Sequence, residues 1–238
     1  MDLVIPLGTG SRWEDNELRF ALRSAEKYIN KLGNVYIIGE RPEWITNVTY
    51  IPAVDRPGIE WKEFNIMQKV LKACALKQLS REFIFMNDDH FLLSPMPPLP
   101  YYCCGTLESK LAARRKQDHY YYSMNNTRNA LQARQRGDTY FDVHAPIIYN
   151  KNLFRDVVLS YDWLAVPYGY VIKSLYCNSL DIKGTQDDDL KVRERVNCFQ
   201  LETLTQHRKY FSISDEAVSQ DLDIYLRYLY PDKSKYEL

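Results

Sequence analysis

Short apolar runs alternate with helical patterns along the first part of the chain. Runs of strand length occupy residues 3–7, 35–39, 48–51 and 83–86. Between them, apolar residues recur at the spacing of one helix face over 18–32 and 61–79. Asp15 or Asn16 is expected to cap the first helix and Gly33 to end it. The order strand, helix, strand, strand, helix, strand predicts an α/β protein with a mainly parallel sheet covered by helices.

The fourth apolar run ends abruptly in the polar block Asn87-Asp88-Asp89-His90. A buried strand delivers such residues to the carboxyl edge of a sheet, where open α/β sheets bind ligands. Two adjacent carboxylates cannot both be buried without partners, because each loses its hydration. Their oxygens suit a hard divalent cation, Mg²⁺ or Mn²⁺. The block is therefore either a metal site or a solvated acidic turn.

The glycine-containing loop after the first strand has two interpretations. Gly8-Thr9-Gly10 lacks the ending of a Walker loop, and Trp13 stands where a dinucleotide fingerprint needs its third glycine. The loop is either a simple turn or a backbone that approaches a nucleotide closely. Arg19 and Arg23 lie four residues apart in the next helix, so they share one face. That face is either solvated or in contact with phosphates.

Residues 101–140 differ in composition from what precedes them. Four prolines within 94–100 first lead the chain away from the sheet. Basic residues interleaved with aromatics can follow a phosphate backbone and stack on bases or sugars. They are equally typical of a solvated helical hairpin. The residues concerned are Lys110, Arg114, Arg115, Lys116, Arg128, Arg134 and Arg136, with Tyr120, Tyr121 and Tyr122 between them.

The second half of the chain contains two further candidate features. Residues 141–149 return to strand character, and Pro146 interrupts pairing two positions after His144. We expect His144 where a strand breaks, which suits a general base or a metal ligand; a structural histidine is the alternative. Asp187-Asp188-Asp189 is either a cap or solvated turn, or part of a metal or acceptor site. Helices are expected over 153–163 and 214–229.

The overall composition excludes little. Lys plus Arg and Asp plus Glu both number 31, so no global charge attracts nucleic acid or membranes. The 19 tyrosines suit the walls of sugar or base pockets, as well as interfaces. The five cysteines have no scaffold spacing and are expected to be reduced thiols of a cytoplasmic protein. Neither a signal peptide nor a transmembrane segment is expected from the apolar pattern.

Three blocks resemble the Stealth family of sugar-phosphate transferases and, more loosely, the GT-A class of nucleotide-sugar glycosyltransferases. Residues 15–24 read DNELRFALRS, like the family's DNELRYSLRS. Residues 83–89 read FIFMNDD, like FIYLNDD, and His144-Ala145-Pro146 is like a later H-x-P element. The blocks occur in the family's order over residues 2–155. The first family block usually contains a central Trp that residues 2–11 lack, which leaves the donor and the transferred group open.

The resemblance implies one GT-A-like catalytic domain over residues 1–238, with a mainly parallel central sheet flanked by helices. Residues 1–100 would form the nucleotide- and metal-binding half. Residues 101–140 would be a basic, Tyr-rich insertion on the acceptor side, and residues 141–238 the acceptor half with the C-terminal helix. The implied cofactor is Mg²⁺ or Mn²⁺. The implied substrates are a nucleotide sugar, with UDP as the expected nucleotide, and a saccharide acceptor.

The resemblance also implies roles for particular residues. Asp88 and Asp89, assisted by Asn87 or His90, would hold the metal. His144, Asp89 and Arg23 would be catalytic, with His144 acting as base, nucleophile or third metal ligand. The nucleotide would contact Pro6, Leu7, Gly8, Thr9, Gly10, Arg19 and Arg23. The acceptor would contact Arg114, Arg115, Tyr121, Arg128 and Asp188.

Two other functions fit the same residues. The basic, tyrosine-interleaved stretch 110–136 would suit a GT-A-like enzyme that glycosylates a modified base in DNA. A non-catalytic module that binds a sugar or a nucleotide is the third possibility. It differs from the enzymes because Asp89→Ala would change its binding or stability but would abolish no turnover.

Overall fold

The computed structural model describes all 238 residues. It contains ten strands and eight α-helices, together with two 3-10 turns at Ile59–Trp61 and Asp215–Ala217. In chain order the elements are β1 (Asp2–Leu7), α1 (Asn16–Tyr28), β2 (Val35–Gly39), β3 (Thr49–Pro52), α2 (Lys62–Cys74), β4 (Glu82–Phe85), β5 (His90–Leu92), β6 (Tyr102–Cys103), α3 (Leu107–Ala113), α4 (His119–Gln132), β7 (Ile147–Asn150), α5 (Lys151–Leu159), α6 (Ile172–Ser179), β8 (Thr185–Gln186), β9 (Lys191–Val192), α7 (Cys198–Thr205), β10 (Tyr210–Ile213) and α8 (Gln220–Leu229).

The central sheet has five strands in the order β3-β2-β1-β4-β7. The first four are parallel to their neighbours, and β7 pairs antiparallel with β4. A second sheet has the order β5-β10-β9, and β6 pairs with β8 in a third. The mainly parallel α/β fold expected from the sequence is therefore confirmed.

The two faces of the central sheet bury two separate apolar cores. Side chains alternate across a strand, so Leu3 and Ile5 join one core while Val4 joins the other. The first core contains α1 and the second sheet together with α8. The second contains α2, α5 and α6. Burial on both faces explains why the strands of the central sheet read as short continuous apolar runs.

Several helix boundaries differ from the sequence expectations because local bonds end or start the helices. Helix α1 ends at Tyr28, before Gly33, and Asp15 precedes it without a side-chain cap. The Ser11 hydroxyl instead accepts from the backbone N–H of Asp15, 2.8 Å away. The second long helix covers only Lys62–Cys74, and Lys151 Nζ donates to two carbonyls of the loop that follows. The C-terminal helix begins after Ser219, whose hydroxyl caps it.

Residues 101–140 form a helical hairpin that is part of the core. The apolar faces of α3 and α4 bury Leu107, Leu111, Met124 and Leu131. Thr106 caps α3 and Asp118 caps α4. The hairpin therefore packs on the second core and keeps its charged side chains outward. No helix in the chain has both the length and the apolar character that crossing a bilayer requires.

Candidate active site

The acidic block lies where the chain passes from the central sheet to the second sheet. Strand β4 ends at Phe85, and β5 begins at His90. Asn87, Asp88 and Asp89 therefore follow the carboxyl end of a central parallel strand, as the sequence predicts. In the second sheet, Ser212 pairs with both His90 and Lys191. This register places Lys191 beside Asp89, although the two residues are far apart in the sequence.

Asp89 has one oxygen paired and one without a partner. Its Oδ2 accepts from Lys191 Nζ at 2.8 Å. Its Oδ1 is inaccessible to solvent, has no hydrogen bond, and lies 3.7 Å from His90 Nε2. Burial opposes ionisation of Asp89, but the charge of Lys191 outweighs it and holds the pKa at about 2. Asp89 is thus an anion with a free oxygen.

Asp88 lies in a region crowded with negative charge. Burial, then the charge of Asp89, then that of Glu17 raise the pKa of Asp88 to about 8. Glu17 is itself buried and its Oε2 has no hydrogen-bond partner. Burial also raises the pKa of Glu17. Asp88 therefore resists ionisation beside Asp89 and Glu17, and a further cation would relieve this repulsion.

His90 is a buried neutral imidazole. Burial lowers its pKa well below the usual value. The backbone N–H of Asn87 points to Nδ1 at 3.5 Å, which leaves the proton of the neutral ring on Nε2. That nitrogen is buried and unpartnered beside Asp89 Oδ1. The metal-ligand role that the resemblance implies for His90 therefore stays a prediction.

His144 lies in a loop next to the acidic block. Strand β7 starts at Ile147, so His144 precedes a strand and does not interrupt one, which corrects the expectation that it sits where a strand breaks. Asp189 Oδ2 is 2.7 Å from His144 Nδ1. Asp189 Oδ1 accepts from the backbone N–H of His144 at 2.8 Å. The rings of His144 and His90 meet edge to face, with 6.1 Å between centroids. The fold thus brings together the Asp-Asp and H-x-P blocks.

Buried polar contacts from α6 hold the His144 loop. Lys173 Nζ donates to the carbonyls of Val143 at 2.7 Å and Ala145 at 2.6 Å, the residues on either side of His144. Asp142 accepts from the backbone N–H groups of Lys173 and Ser174 at the start of α6. Burial lowers the pKa of Lys173 to about 8, although the nearby carboxylates oppose this. The loop is therefore fixed on both sides of the histidine.

Arg19 and Arg23 do not face this site as expected. Arg23 is buried and its Nε and Nη2 donate to the two carboxylate oxygens of Glu237 at 2.8 and 2.7 Å. Its Nη1 donates to the carbonyl of Tyr230. Arg19 lies 3.9 Å over the Trp44 ring and 3.6 Å from Glu237. These contacts commit Arg23 to anchoring the C-terminal segment, so we leave it out of the candidate site.

The Gly8–Gly10 loop lies at the carboxyl end of β1. Pro6 and Leu7 are buried strand residues, whereas Thr9 and Gly10 are exposed. Lys69 Nζ donates to the carbonyl of Leu7 at 2.7 Å and to Asp55 at 2.9 Å, which ties the end of β1 and the middle of α2 to the loop after β3. Of the expected nucleotide contacts, only Gly8, Thr9 and Gly10 therefore remain available as an open backbone segment.

The expected acceptor residues are scattered and mostly engaged. Arg114 pairs with Asp118, and Arg128 lies 3.7 Å from Glu108. The Tyr121 ring packs edge to face on Tyr122. The side chain of Asp188 is 84% exposed, 3.6 Å from Arg208. Arg115 is exposed and makes no ion pair. Of the seven basic residues that motivated a DNA acceptor, three have acidic partners, and the other four, Lys110, Arg115, Lys116 and Arg134, make no ion pair.

The residues present fit a divalent cation held partly by substrate. No group of three or more His, Cys, Asp or Glu side chains converges to hold a metal by itself. Mg²⁺ in particular is usually bound by one or two carboxylates together with waters and substrate phosphates. Asp89 Oδ1 is a buried carboxylate oxygen that accepts no hydrogen bond. Asp88 lies beside it, close to the negative charge of Asp89. Two carboxylates are enough for such an ion.

Sequence reasoning gave no individual role to Asp189, Lys191 or Lys173. Asp189 and Lys191 belong to the acidic cluster after residue 186, but the exposed Asp188 was chosen from it. Only the pairing of β9 with β10 identifies which of these residues turns toward the site. Lys173 sits in an apolar stretch, where one lysine among Val, Ile and Leu is a usable sign of a buried functional contact.

Comparison with known proteins agrees with this architecture. No family model matches the chain. Over 100 aligned residues it is 30% identical to the N-acetylglucosamine-1-phosphotransferase subunits alpha/beta of Mus musculus and of Homo sapiens. The alignment covers 34% of this chain, and the chain spans 7% of the length of these relatives.

A solved structure matches almost the whole chain. The galactosyltransferase LgtC, crystallised with donor and acceptor sugar analogs, superposes with a TM-score of 0.51 at 9% identity. The match covers 99% of this chain and 97% of LgtC. The chain therefore has the GT-A glycosyltransferase fold, and its resemblance to the Stealth-type sugar-phosphate transferases is confirmed.

Proposed function

We propose that this protein is a metal-dependent transferase that uses a nucleotide-sugar donor and a saccharide acceptor. One observation carries the proposal: Asp88 and Asp89 directly follow the carboxyl end of β4, and the ring of the adjacent His90 lies 6.1 Å from the ring of His144. The sequence similarity to N-acetylglucosamine-1-phosphotransferase favours a sugar 1-phosphate as the transferred group. Transfer of the glycosyl group alone is the second version of the same reaction class.

Asp88 and Asp89 would hold Mg²⁺ or Mn²⁺, with Lys191 balancing the second oxygen of Asp89. When bound, the ion would act as a Lewis acid that neutralises charge on the donor diphosphate. The open backbone of Gly8, Thr9 and Gly10 would lie against the nucleotide. His144 would accept the proton of the acceptor hydroxyl, since its Nε2 faces away from Asp189.

The two versions of the reaction release different nucleotides. If a sugar 1-phosphate moves from a UDP-sugar, the bond between the two phosphates breaks and UMP leaves. If the glycosyl group moves, the bond between sugar and phosphate breaks and UDP leaves. Separation of UMP from UDP after incubation with a UDP-sugar, Mn²⁺ and a saccharide mixture therefore identifies the bond.

A thermal-shift screen finds the donor first. We expect a nucleotide sugar or nucleoside diphosphate to raise the melting temperature only with Mn²⁺ or Mg²⁺ present, because a ligand that binds the folded state stabilises it. If no such ligand shifts the melting temperature, the transferase proposal is wrong. Metal-dependent binding without release of UMP or UDP would instead identify a binding module. Release that requires DNA, with salt-sensitive retention on it, would identify a DNA glycosyltransferase.

A further inference from the structure

We propose that Asp189 sets the tautomer of His144 and thereby makes its Nε2 the proton acceptor of the reaction. The inference deepens the proposed function and rests on it for the identity of the reaction. The geometry on which it stands is independent of any substrate. Asp189 contacts His144 twice, through Oδ2 to the ring Nδ1 and through Oδ1 to the backbone N–H.

These two contacts determine where the imidazole proton lies. An ionised carboxylate only accepts hydrogen bonds, so the 2.7 Å contact to Oδ2 requires a proton on Nδ1. In the neutral ring the lone pair is then on Nε2. No residue of the chain makes a hydrogen bond to that atom. The ring is 21% exposed, so Nε2 is accessible to a substrate.

This tautomer allows His144 to take up a proton while the acceptor attacks the donor. Nε2 takes the proton of an acceptor hydroxyl while the hydroxyl oxygen forms a bond to the electrophilic phosphorus or anomeric carbon. The bond from that centre to the nucleotide's oxygen breaks, and the nucleotide leaves with the electron pair. The imidazolium that results carries protons on both nitrogens and is stabilised by the Asp189 carboxylate. Asp189 touches no reacting atom in this scheme, so it is a positioning residue.

The histidine loop is held independently of Asp189. Lys173 binds the carbonyls of Val143 and Ala145, and Asp142 is anchored at the start of α6. A substitution at Asp189 that preserves its shape therefore changes the partner of Nδ1 without releasing the loop. Asp189→Asn is such a change. Its amide oxygen accepts from the backbone N–H of His144, and its amide nitrogen donates to Nδ1 of the ring. The ring proton then lies on Nε2, so this nitrogen no longer accepts a proton from the substrate.

The test combines a spectrum with kinetics. Nitrogen NMR of His144, assigned with His144→Gln, reports the tautomer in the free protein without substrate. We expect Nδ1–H in the wild type and Nε2–H in Asp189→Asn. Turnover in Asp189→Asn should fall by roughly 10²–10⁴-fold, the usual contribution of a general base, with the donor KM changed less than about threefold. Asp181→Asn makes the same chemical change in an exposed ion pair with Arg136 and should match the wild type in both readouts.

Three results would overturn the proposal: an Nε2–H tautomer in the wild type, an unchanged tautomer in Asp189→Asn, or wild-type turnover in that variant. The wild-type spectrum decides the first even if Asp189→Asn does not fold. If the wild type releases no nucleotide from any donor, the proposed function fails. The spectra still determine whether Asp189 controls the ring.

Discussion

Two buried clusters of charge in this protein differ in one respect, whether every polar atom has a partner. In the cluster of Arg23 and Glu237, both carboxylate oxygens and three guanidinium nitrogens make hydrogen bonds. In the cluster around Asp89 and His90, Asp89 Oδ1 and His90 Nε2 are buried without any. The first cluster is complete without a ligand. The second has unmet bonding capacity at the carboxyl edge of a parallel sheet, where ligands bind.

The difference separates a structural role from a functional one. A buried charge costs free energy unless it is paired, so an unpaired carboxylate oxygen persists where a ligand or an ion completes it. Both clusters contain residues of the family-like blocks, and the resemblance implied that Arg23 contacts the nucleotide and that Asp89 and His90 hold the metal. The two clusters are distinguished only by whether each of their polar atoms has a hydrogen-bond partner.

The largest expected effect is on turnover in Asp89→Asn. The amide loses the charge that would hold the cation and pairs more weakly with Lys191, so turnover should fall by a factor on the order of 10³. The melting temperature without metal should fall less than in Arg23→Met, because the amide oxygen of Asn still accepts from Lys191 and the repulsion between Asp88 and Asp89 is removed. Nucleotide release and thermal unfolding measured on the same preparation check this. Turnover within tenfold of the wild type would contradict the role of Asp89.

Arg23→Met should have the opposite effect: a large loss of stability and no loss of metal-dependent binding. Removal of Arg23 leaves the buried Glu237 carboxylate with only Ser234 and the more distant Arg19 as partners, which costs up to about 3–5 kcal/mol of unfolding free energy. Urea denaturation gives this value. The metal-dependent thermal shift should survive in the folded fraction, because Arg23 contacts no residue of the acidic block. Loss of that shift with unchanged stability would return Arg23 to the site.

The next largest effect is expected in the pH dependence of stability, which should have opposite signs for Asp88 and Glu237. Asp88 has a pKa of about 8 in the folded protein against an ordinary value of 3.8. The folded state therefore binds more protons than the unfolded state between these values, and this group lowers stability as pH rises from about 4 to 8. Asp88→Asn should remove that loss and melt higher than the wild type at pH 8 without metal.

Glu237 has the opposite sign, because Arg23 and Ser234 outweigh burial and lower its pKa. Its contribution is present above the ordinary glutamate pKa and is lost as pH falls through the lowered one. The wild-type minus Glu237→Gln difference in melting temperature should therefore shrink on acidification. A difference that grows toward acid pH would contradict the ion pair.

The smallest effect is expected at an exposed pair. Arg136 and Asp181 lie 2.8 Å apart on the surface, with side chains 42% and 66% exposed. Arg136→Gln should change the unfolding free energy by less than about 1 kcal/mol, because water screens such pairs. Turnover and the metal-dependent shift should be unchanged. A cost as large as that of Arg23→Met would show that burial is not the reason why the Arg23–Glu237 pair contributes strongly to stability.

The central sheet could be predicted from the sequence because the local pattern of apolar residues indicates where its strands lie along the chain and that they are buried. The Asp-Asp pair could be placed for the same reason, since it directly follows a strand. The partners of Arg23 and His144 could not, because Glu237 and Asp189 are 214 and 45 residues away. Which of three consecutive aspartates faces His144 depends on the pairing of β9 with β10, and two-residue strands leave no periodic signal.

Calorimetric titration of the wild type and Asp89→Asn with Mn²⁺, in the presence and absence of UDP, tests the central claim most directly. The claim is that the unpartnered edge of the sheet binds a divalent cation together with a nucleoside diphosphate. We predict that UDP binds the wild type tightly only with Mn²⁺, that each strengthens the binding of the other, and that Asp89→Asn loses this coupling while remaining folded. Equal coupling in the wild type and in Asp89→Asn, or none in the wild type, would contradict it.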